Sequence, residues 1–583
     1  MPHLKRFTLV ALVIVGSLEA QEISKKYLSN KTLTYDEAIG FYEDLDQKST
    51  KGKLFSYGSS DVGKPIHLFV ISGDEDFDPG SIRKKNKRII LINNSIHSGE
   101  PDGVDASVKL AEDILVKRTI PIPENAVVCI IPVYNIDGFL NRACCRRANQ
   151  NGPEEIGTRA NAKNLDLNRD FIKCDAGNTK TFSEIFQKWN PDVFVDTHVS
   201  DGADYTYTMT LISTQYDKLN PVLSNFLKNE MDPALYESMK KKNNEMCPYV
   251  ELYKKTPNYG IIGFFETPRY STGYAALFNT IGFVTETHML KPFAKRVEAT
   301  YDFISSVIDF TNKNYQKIGE VRKQADQFVK EQKEFPVEWV MDTTKWDSFN
   351  FKGYEAKYKP SVISGQPRLY YDEKAPYTKP IRNYNTYKVK TMIEKPVAYV
   401  IPQGWRTVIE RLQMNNIKMK RFVRDTLLSV ESYYIDDYQT IKNPYEGHYL
   451  HSNVKVTKET QPVQYHKGDY IVEVNQERNR YIVETLEPQA RDSYFCWNFF
   501  DAILQHKEGF SNYVFEETAE EILQDHPDIK KEFELKKQQD SIFAKNGEEQ
   551  LKFIHQKAPQ FIEKSFLRYP VARLNKIASL PLE

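Results

Sequence analysis

The chain has 583 residues, 40% of them hydrophobic and 13% aromatic, and its 79 basic residues balance 79 acidic ones. That length exceeds what one compact core holds, so at least two domains are expected. A formal net charge of zero argues against nucleic acid and anionic membrane surfaces as partners, because both are recruited by an excess of basic charge.

In chain order, a short basic start ending at Arg6 leads into an apolar run of twelve, Phe7 to Leu18, and then to the small residue Ala20. These three parts predict a signal peptide over residues 1–20, cut after Ala20, and a secreted or periplasmic mature protein. The run is too short for a transmembrane span, and no Cys lies near the cut to carry a lipid anchor. No stable membrane insertion is therefore expected after cleavage. From Ser56 to about Asn312, short apolar runs alternate with helical stretches. HLFVIS (67–72), RIILINN (88–94), AVVCIIPV (126–133), PDVFVDTHV (191–199) and IGFVTETHM (281–289) read as strands. DGVDASVKLAEDILVK (102–117) reads as an amphipathic helix, with Val104, Val108, Ala111 and Leu115 at spacings of three and four. Apolar strands alternating with helices predict an α/β sheet covered on both faces.

After about Tyr315 the character changes. QKIGEVRKQADQFVKEQKEF is a charged helix, and the Tyr-, Lys- and Pro-rich segment 335–396 gives no clear period. Residues 396–422 read as strand, helix, strand. The stretches 454–474 and 480–488 alternate like antiparallel strands, and 516–568 is helical. This predicts an α/β domain over 21–320 and a C-terminal α+β extension over 321–583, as one further domain or two small ones. Six cysteines are spaced neither as a disulfide framework nor as a C-x-x-C metal pattern. Cys129 lies in an apolar run and is expected to be buried; the adjacent Cys144 and Cys145 are expected not to bond each other.

One constellation carries chemistry. His97-Ser98-Gly99-Glu100 follows the strand RIILINN, at the carboxyl end of a strand, where open α/β sheets build their sites. His198 ends the strand PDVFVDTH. Two imidazoles and a carboxylate, with a fourth position open, are the ligand set of a catalytic zinc ion. Asp196, two residues before His198, is placed to steady a ligand. The loop Asp166-Leu167-Asn168-Arg169-Asp170 offers an amide and a guanidinium fork for a carboxylate. Arg142, Arg146 and Arg147 cluster in NRACCRRANQNG, where one of them is a candidate for stabilising an oxyanion. Glu286, near the carboxyl end of an apolar strand, is the candidate general base; His288 is at best an outer partner.

These residues resemble the zinc carboxypeptidase family, the M14 metallopeptidases, over roughly residues 35–315. The resemblance rests on YGSSDVGKPI (57–66), HSGE (97–100), YNIDG (134–138), DLNRD (166–170), His198 in DTH and Glu286 in GFVTE, all in the family's order. It implies a mixed, mostly parallel open sheet with helices on both faces. It also implies one zinc ion on His97, Glu100 and His198, and Glu286 as general base and acid. Asn168 and Arg169 would hold the carboxylate of a peptide or protein C-terminus. Arg147 would face the oxyanion, with Arg146 close behind. The family's mobile tyrosine falls to Tyr274, with Tyr270 left open by the spacing. The departures are Asp170 in place of Asn, expected to alter pocket charge, and Ile in place of Pro in YNIDG. Residues 205–265, which do not follow the digestive enzymes, are expected to build a specificity wall, and Arg269 either attracts an acidic substrate group or forms a structural ion pair. Deacylation of acyl-amino acids and trimming of peptidoglycan stem peptides use the same chemistry and are the rival activities. A non-catalytic binding protein is disfavoured because every ligand and the acid are in place.

Overall fold

A computed structural model describes residues 23–576 and 580–583. The signal-peptide expectation for residues 1–20 lies outside these described residues. Eight strands form the central sheet: β1 (Gly52–Ser59), β2 (Pro65–Ile71), β3 (Arg88–Asn93), β4 (Ala126–Ile131), β5 (Val193–Ser200), β6 (Met209–Ser213), β7 (Cys247–Pro248) and β8 (Ile281–His288). Their order is β1-β2-β4-β3-β5-β8-β6-β7. The pairs β4/β3, β3/β5, β5/β8 and β6/β7 are parallel, and the other three are antiparallel. The sheet is thus mixed and mostly parallel, as the sequence pattern and resemblance imply.

Every residue of β3, β4 and β5 is buried, which is why these strands read as unbroken apolar runs rather than alternating ones. Rings on neighbouring strands show what covers each face. Phe194 of β5 meets Phe182 and Phe186 of the helix Gly177–Trp189. Phe283 of β8, in register with Val195, meets Phe303 of the helix Phe293–Lys313. Because successive side chains alternate, the two helices lie on opposite faces. Helix Asp102–Leu115 packs beside Phe293–Lys313.

Three parallel strands, β3, β5 and β8, lie side by side at the centre, so their carboxyl ends share one edge. Residues in register across that edge are Asn93 with Asp196, and His198 with Glu286.

The extension is built largely from two long hairpins, Asp347–Pro360 with Pro367–Tyr384 and Thr426–Thr440 with His451–Tyr465. The first explains the segment without a clear period. It is a two-stranded ribbon whose outer part is largely exposed. Only its base is buried, where Phe351 and Ile381 pack with Tyr205 and Tyr207, so the alternation spans too few residues to show as a period. Its second strand runs parallel to Ile261–Ile262 of the α/β part. The unit at 396–422 is strand Ala398–Ile401, helix Arg406–Met414 and strand Lys420–Arg421, as expected. The expectation of a strand at 480–488 is overturned: Asn479–Leu486 is a helix. All eight of its residues are buried. Arg480 and Glu484 pair one helical turn apart at 2.8 Å, and that helical spacing is masked by the run of aromatic and β-branched residues Tyr481, Ile482 and Val483, which mimics a strand. Helices Asn512–Asp525, Pro527–Gln539 and Gly547–Lys557 pack around their own small core of Phe515, Phe533, Phe543 and Ile554. Residues on both sides of position 320, among them Phe194, Phe278, Tyr399, Tyr481 and Trp497, belong to a single hydrophobic cluster. Among the described residues no helix is long and apolar enough to cross a membrane.

Candidate metal centre and catalytic cleft

β3 ends at Asn93, and the chain then turns through Ser95 in the left-handed region (φ 61°) before presenting His97 and Glu100. Gly138 of YNIDG lets two loops close over this turn: a Cβ there would stand 2.9 Å from Ser98 Oγ and 2.5 Å from the Thr158 carbonyl oxygen. That contact leaves no room for a side chain.

His97, Glu100 and His198 are all buried, with ligand-type atoms within 4.8 Å of one another. His97 Nδ1 lies 3.2 Å from Glu100 Oε1, and His198 Nδ1 lies 3.2 Å from Glu100 Oε2. The far ring nitrogens are both tied to carboxylates. His97 Nε2 is 2.9 Å from Asp166 Oδ1, and His198 Nε2 is 3.0 Å from Asp196 Oδ2. Asp196 is itself held by the Asn93 amide, 3.0 Å from its Oδ1. Two imidazoles whose outer nitrogens are fixed by carboxylates, with their inner nitrogens converging on a third donor, fit a zinc ion. His97 Nδ1 makes no hydrogen bond within the protein, which agrees with a ligand role.

The electrostatics match that donor set. Burial opposes ionisation of Glu100, but His97 and Arg147 hold its carboxyl well below the usual range. Burial likewise opposes charge on His198, yet Asp196 and Glu100 push its pKa well above the ordinary value. A cation held by His97, Glu100 and His198 would take the place of that proton. Asp196→Asn, which keeps the shape and removes the charge behind His198, is expected to weaken zinc binding about 10–100-fold. Competition with a chromophoric chelator measures this.

Glu286 faces the same cleft, a cavity of about 270 Å³ that is also lined by Arg147, Arg159, Asn168, Arg169 and Tyr270. Burial, with repulsion from Glu100, pushes the Glu286 pKa up to about 7 against the pull of His198, His97 and Arg147. Arg147 reaches Glu100 Oε1 at 2.5 Å and donates to the Val199 carbonyl at 3.1 Å. Arg146 is exposed and donates to Asn141, so Arg147 is the arginine of this pair in the cleft. Arg169 stacks over the Tyr270 ring, 4.5 Å from its centroid, and Asn168 Oδ1 accepts the Ser271 N–H at 3.2 Å.

Several expectations need correction. Tyr274 does not line the cleft. It is fully buried among Phe171, Phe186 and Phe278, and its Oη donates to Asn415 Oδ1 at 2.6 Å. It sits in the first helical turn after Tyr270, and only the earlier tyrosine falls at the cleft wall. Tyr274→Phe is expected to lower stability by roughly 1 kcal/mol while leaving kcat and KM unchanged, as read by denaturant midpoint and peptide kinetics. Asp170 does not alter the charge of the pocket: it is buried, taking Lys173 Nζ at 2.5 Å and the Asp175 and Ala176 N–H groups at 3.1 and 3.0 Å. Arg269 pairs with Asp492 at 2.6 Å. His288 turns away to donate to the Ala203 carbonyl at 3.0 Å. Cys144 and Cys145 form a disulfide with each other, against expectation, while Cys129 is buried as expected.

Two residues escaped the sequence reading. The sequence marks Asp166 only as part of a polar loop, yet it orients His97. Arg159, 2.9 Å from Asp166 Oδ2 and 3.6 Å from Glu100 Oε1, carries no motif. The D of DLNRD lying two residues before the Asn was the available signal. The 205–265 segment contributes Ile212, Tyr249 and Phe264 to the cleft wall, and the same three residues border a second cavity of about 450 Å³.

The zinc carboxypeptidase family model matches residues 41–351, just over half of the chain. The chain belongs to the zinc carboxypeptidase family. It is 20% identical over 488 residues to carboxypeptidase 2 of Trichophyton rubrum, and 20% over 492 residues to carboxypeptidase 2 of Trichophyton tonsurans. In both cases 80% of each chain is covered. Among solved structures it is similar to a metallo-carboxypeptidase from Pseudomonas aeruginosa, with 12% identity, a TM-score of 0.36, and coverage of 48% of this chain and 69% of that one. This zinc carboxypeptidase has the family's mixed α/β fold and a His-Glu-His cluster where its zinc would bind.

Proposed function

We propose that this metallocarboxypeptidase removes single residues from peptide C-termini, with Glu286 moving the protons and Asn168 and Arg169 reading the terminal carboxylate. The observation that carries the reading is the convergence of these three side chains, Arg147 and the His97–Glu100–His198 cluster on one cleft. Zinc held by the cluster supplies Lewis acidity toward water and a carbonyl group. Glu286, in register with His198 on the adjacent strand, takes a proton from the attacking water and returns it to the departing amine. Arg147 offers a cation to the carbonyl oxygen as negative charge develops on it. Arg169, braced by Tyr270, presents a fork to the substrate's free carboxylate, and Asn168 lies beside it.

Peptides of one sequence ending in a free acid or in an amide test this. The free acid should be shortened stepwise and the amide left intact, as read by mass spectrometry. Equal cleavage of both, or cleavage within the chain, would sink the exopeptidase reading. Products from acyl-amino acids or stem peptides without trimming of the free acid would move the assignment to those substrates. Export is proposed on the sequence start.

A further inference from the structure

The loop Asp166–Asp175 carries Asn168 and Arg169 toward the cleft, and Asp166 toward His97. Its outer side rests on the C-terminal extension. The Asp166 N–H donates to Glu446 Oε2 at 2.7 Å across 280 residues of sequence. His448 Nε2 lies 2.8 Å from Asp175 Oδ2. The Arg411 guanidinium donates to the Lys173 carbonyl at 2.5 Å and to Asp175 Oδ1 at 2.9 Å. Glu446 adopts φ 51° and is followed by Gly447 at φ 83°. A residue with a Cβ is uncommon in that region and is held there only where surrounding contacts fix it.

We propose that Glu446 is a positioning residue for the metal site, acting through Asp166. By fixing the Asp166 backbone it sets the carboxylate that holds His97 Nε2 at 2.9 Å. The same Oδ1 also accepts the Asn168 N–H at 2.9 Å, so one oxygen ties the metal ligand to the carboxylate-reading residue. The extension is then part of the catalytic apparatus: it supplies the last support of a loop that serves both zinc and substrate. The proposal rests on the reading of His97 as a zinc ligand.

The test uses the full-length protein with Glu446→Ala, Glu446→Gln, Asp166→Ala and the Glu446→Ala/Asp166→Ala double variant. Zinc affinity is read by chelator competition, and each variant's folding by its thermal midpoint. Glu446→Ala is expected to weaken zinc binding about three- to tenfold, less than the loss on removing a direct outer partner, and to raise KM. Glu446→Gln keeps a carbonyl oxygen for the Asp166 N–H and should return both to within about twofold of the parent. In the Asp166→Ala background, Glu446→Ala should cost no further zinc affinity, because the two act through one path. Unchanged zinc affinity in Glu446→Ala overturns the proposal, as does full additivity in the double variant. If Glu446→Ala does not fold, the Gln variant decides: zinc binding weakened more than about threefold in a folded Gln variant overturns it. Because the readout is zinc affinity, a parent protein that binds zinc without trimming peptides would end the carboxypeptidase reading while leaving this one standing.

Discussion

Glu286→Gln is expected to keep its metal and lose roughly a hundred- to ten-thousand-fold in kcat, the usual worth of a positioned general acid–base. Glutamine preserves the shape and the hydrogen-bonding capacity at the cleft wall, so KM should move little. What disappears is the carboxylate that faces the His97–Glu100–His198 cluster across the β5/β8 register and can both take and return a proton. The pH profile gives an independent reading. The carboxylate must be ionised to accept a proton, and burial with Glu100 beside it raises its pKa to about 7 in the metal-free protein. A dication in the cluster favours the ionised form. The acid limb of kcat/KM in the zinc-loaded enzyme should therefore fall below pH 7, with activity lost as pH drops through it. That limb should be missing from the residual activity of the Gln variant. A variant that keeps more than a tenth of parental kcat would remove Glu286 from the proton path.

His198→Ala should cost more than any outer partner, hence on the order of a hundredfold or more in zinc affinity, and should bring activity to background. It also removes the ring that pairs with the buried Asp196 and leaves the Asn93 amide as its side-chain partner among the described residues, so some stability is lost. The two effects separate under titration. In the parent, added zinc raises the thermal midpoint as binding to the native state requires; in His198→Ala the midpoint should stay flat at the same zinc concentrations. A midpoint that still climbs with zinc would mean that His198 is not a ligand.

The parts of the site that could be read from the sequence are those that strand order dictates. His97, His198 and Glu286 follow or end apolar runs that become the adjacent parallel strands β3, β5 and β8, so their convergence follows from the fold. Asp196 was legible for the same reason, two residues back on one strand face. Asp166 and Arg159 were not, because each is brought in by a loop whose path depends on other loops: Asp166 on Glu446, 280 positions away, and Arg159 on Asn135. Tyr274 and Tyr270 differ by one helical turn, and no period within PRYSTGY says which side of that turn meets the cleft. In the extension, 480–488 misled because the strand-forming run Tyr481-Ile482-Val483 outweighs the one pair, Arg480 and Glu484, that marks the helical turn. The ribbon at 347–384 stayed unread because its buried face is confined to the base around Phe351 and Ile381, too short a stretch to set a period.

The hydrogen bond from Asp166 to Glu446 spans 280 positions, and it has a consequence for the order of synthesis. A nascent chain that has just completed β8 possesses His97, Glu100, His198 and Glu286, but the residues that steady the loop at 166–175 have yet to be made. Contacts of such separation form late and slowly. On the proposed role of Glu446, a chain still being made therefore carries its full set of reactive groups before the residue that frames them exists, and their alignment is completed only once the last third has folded back.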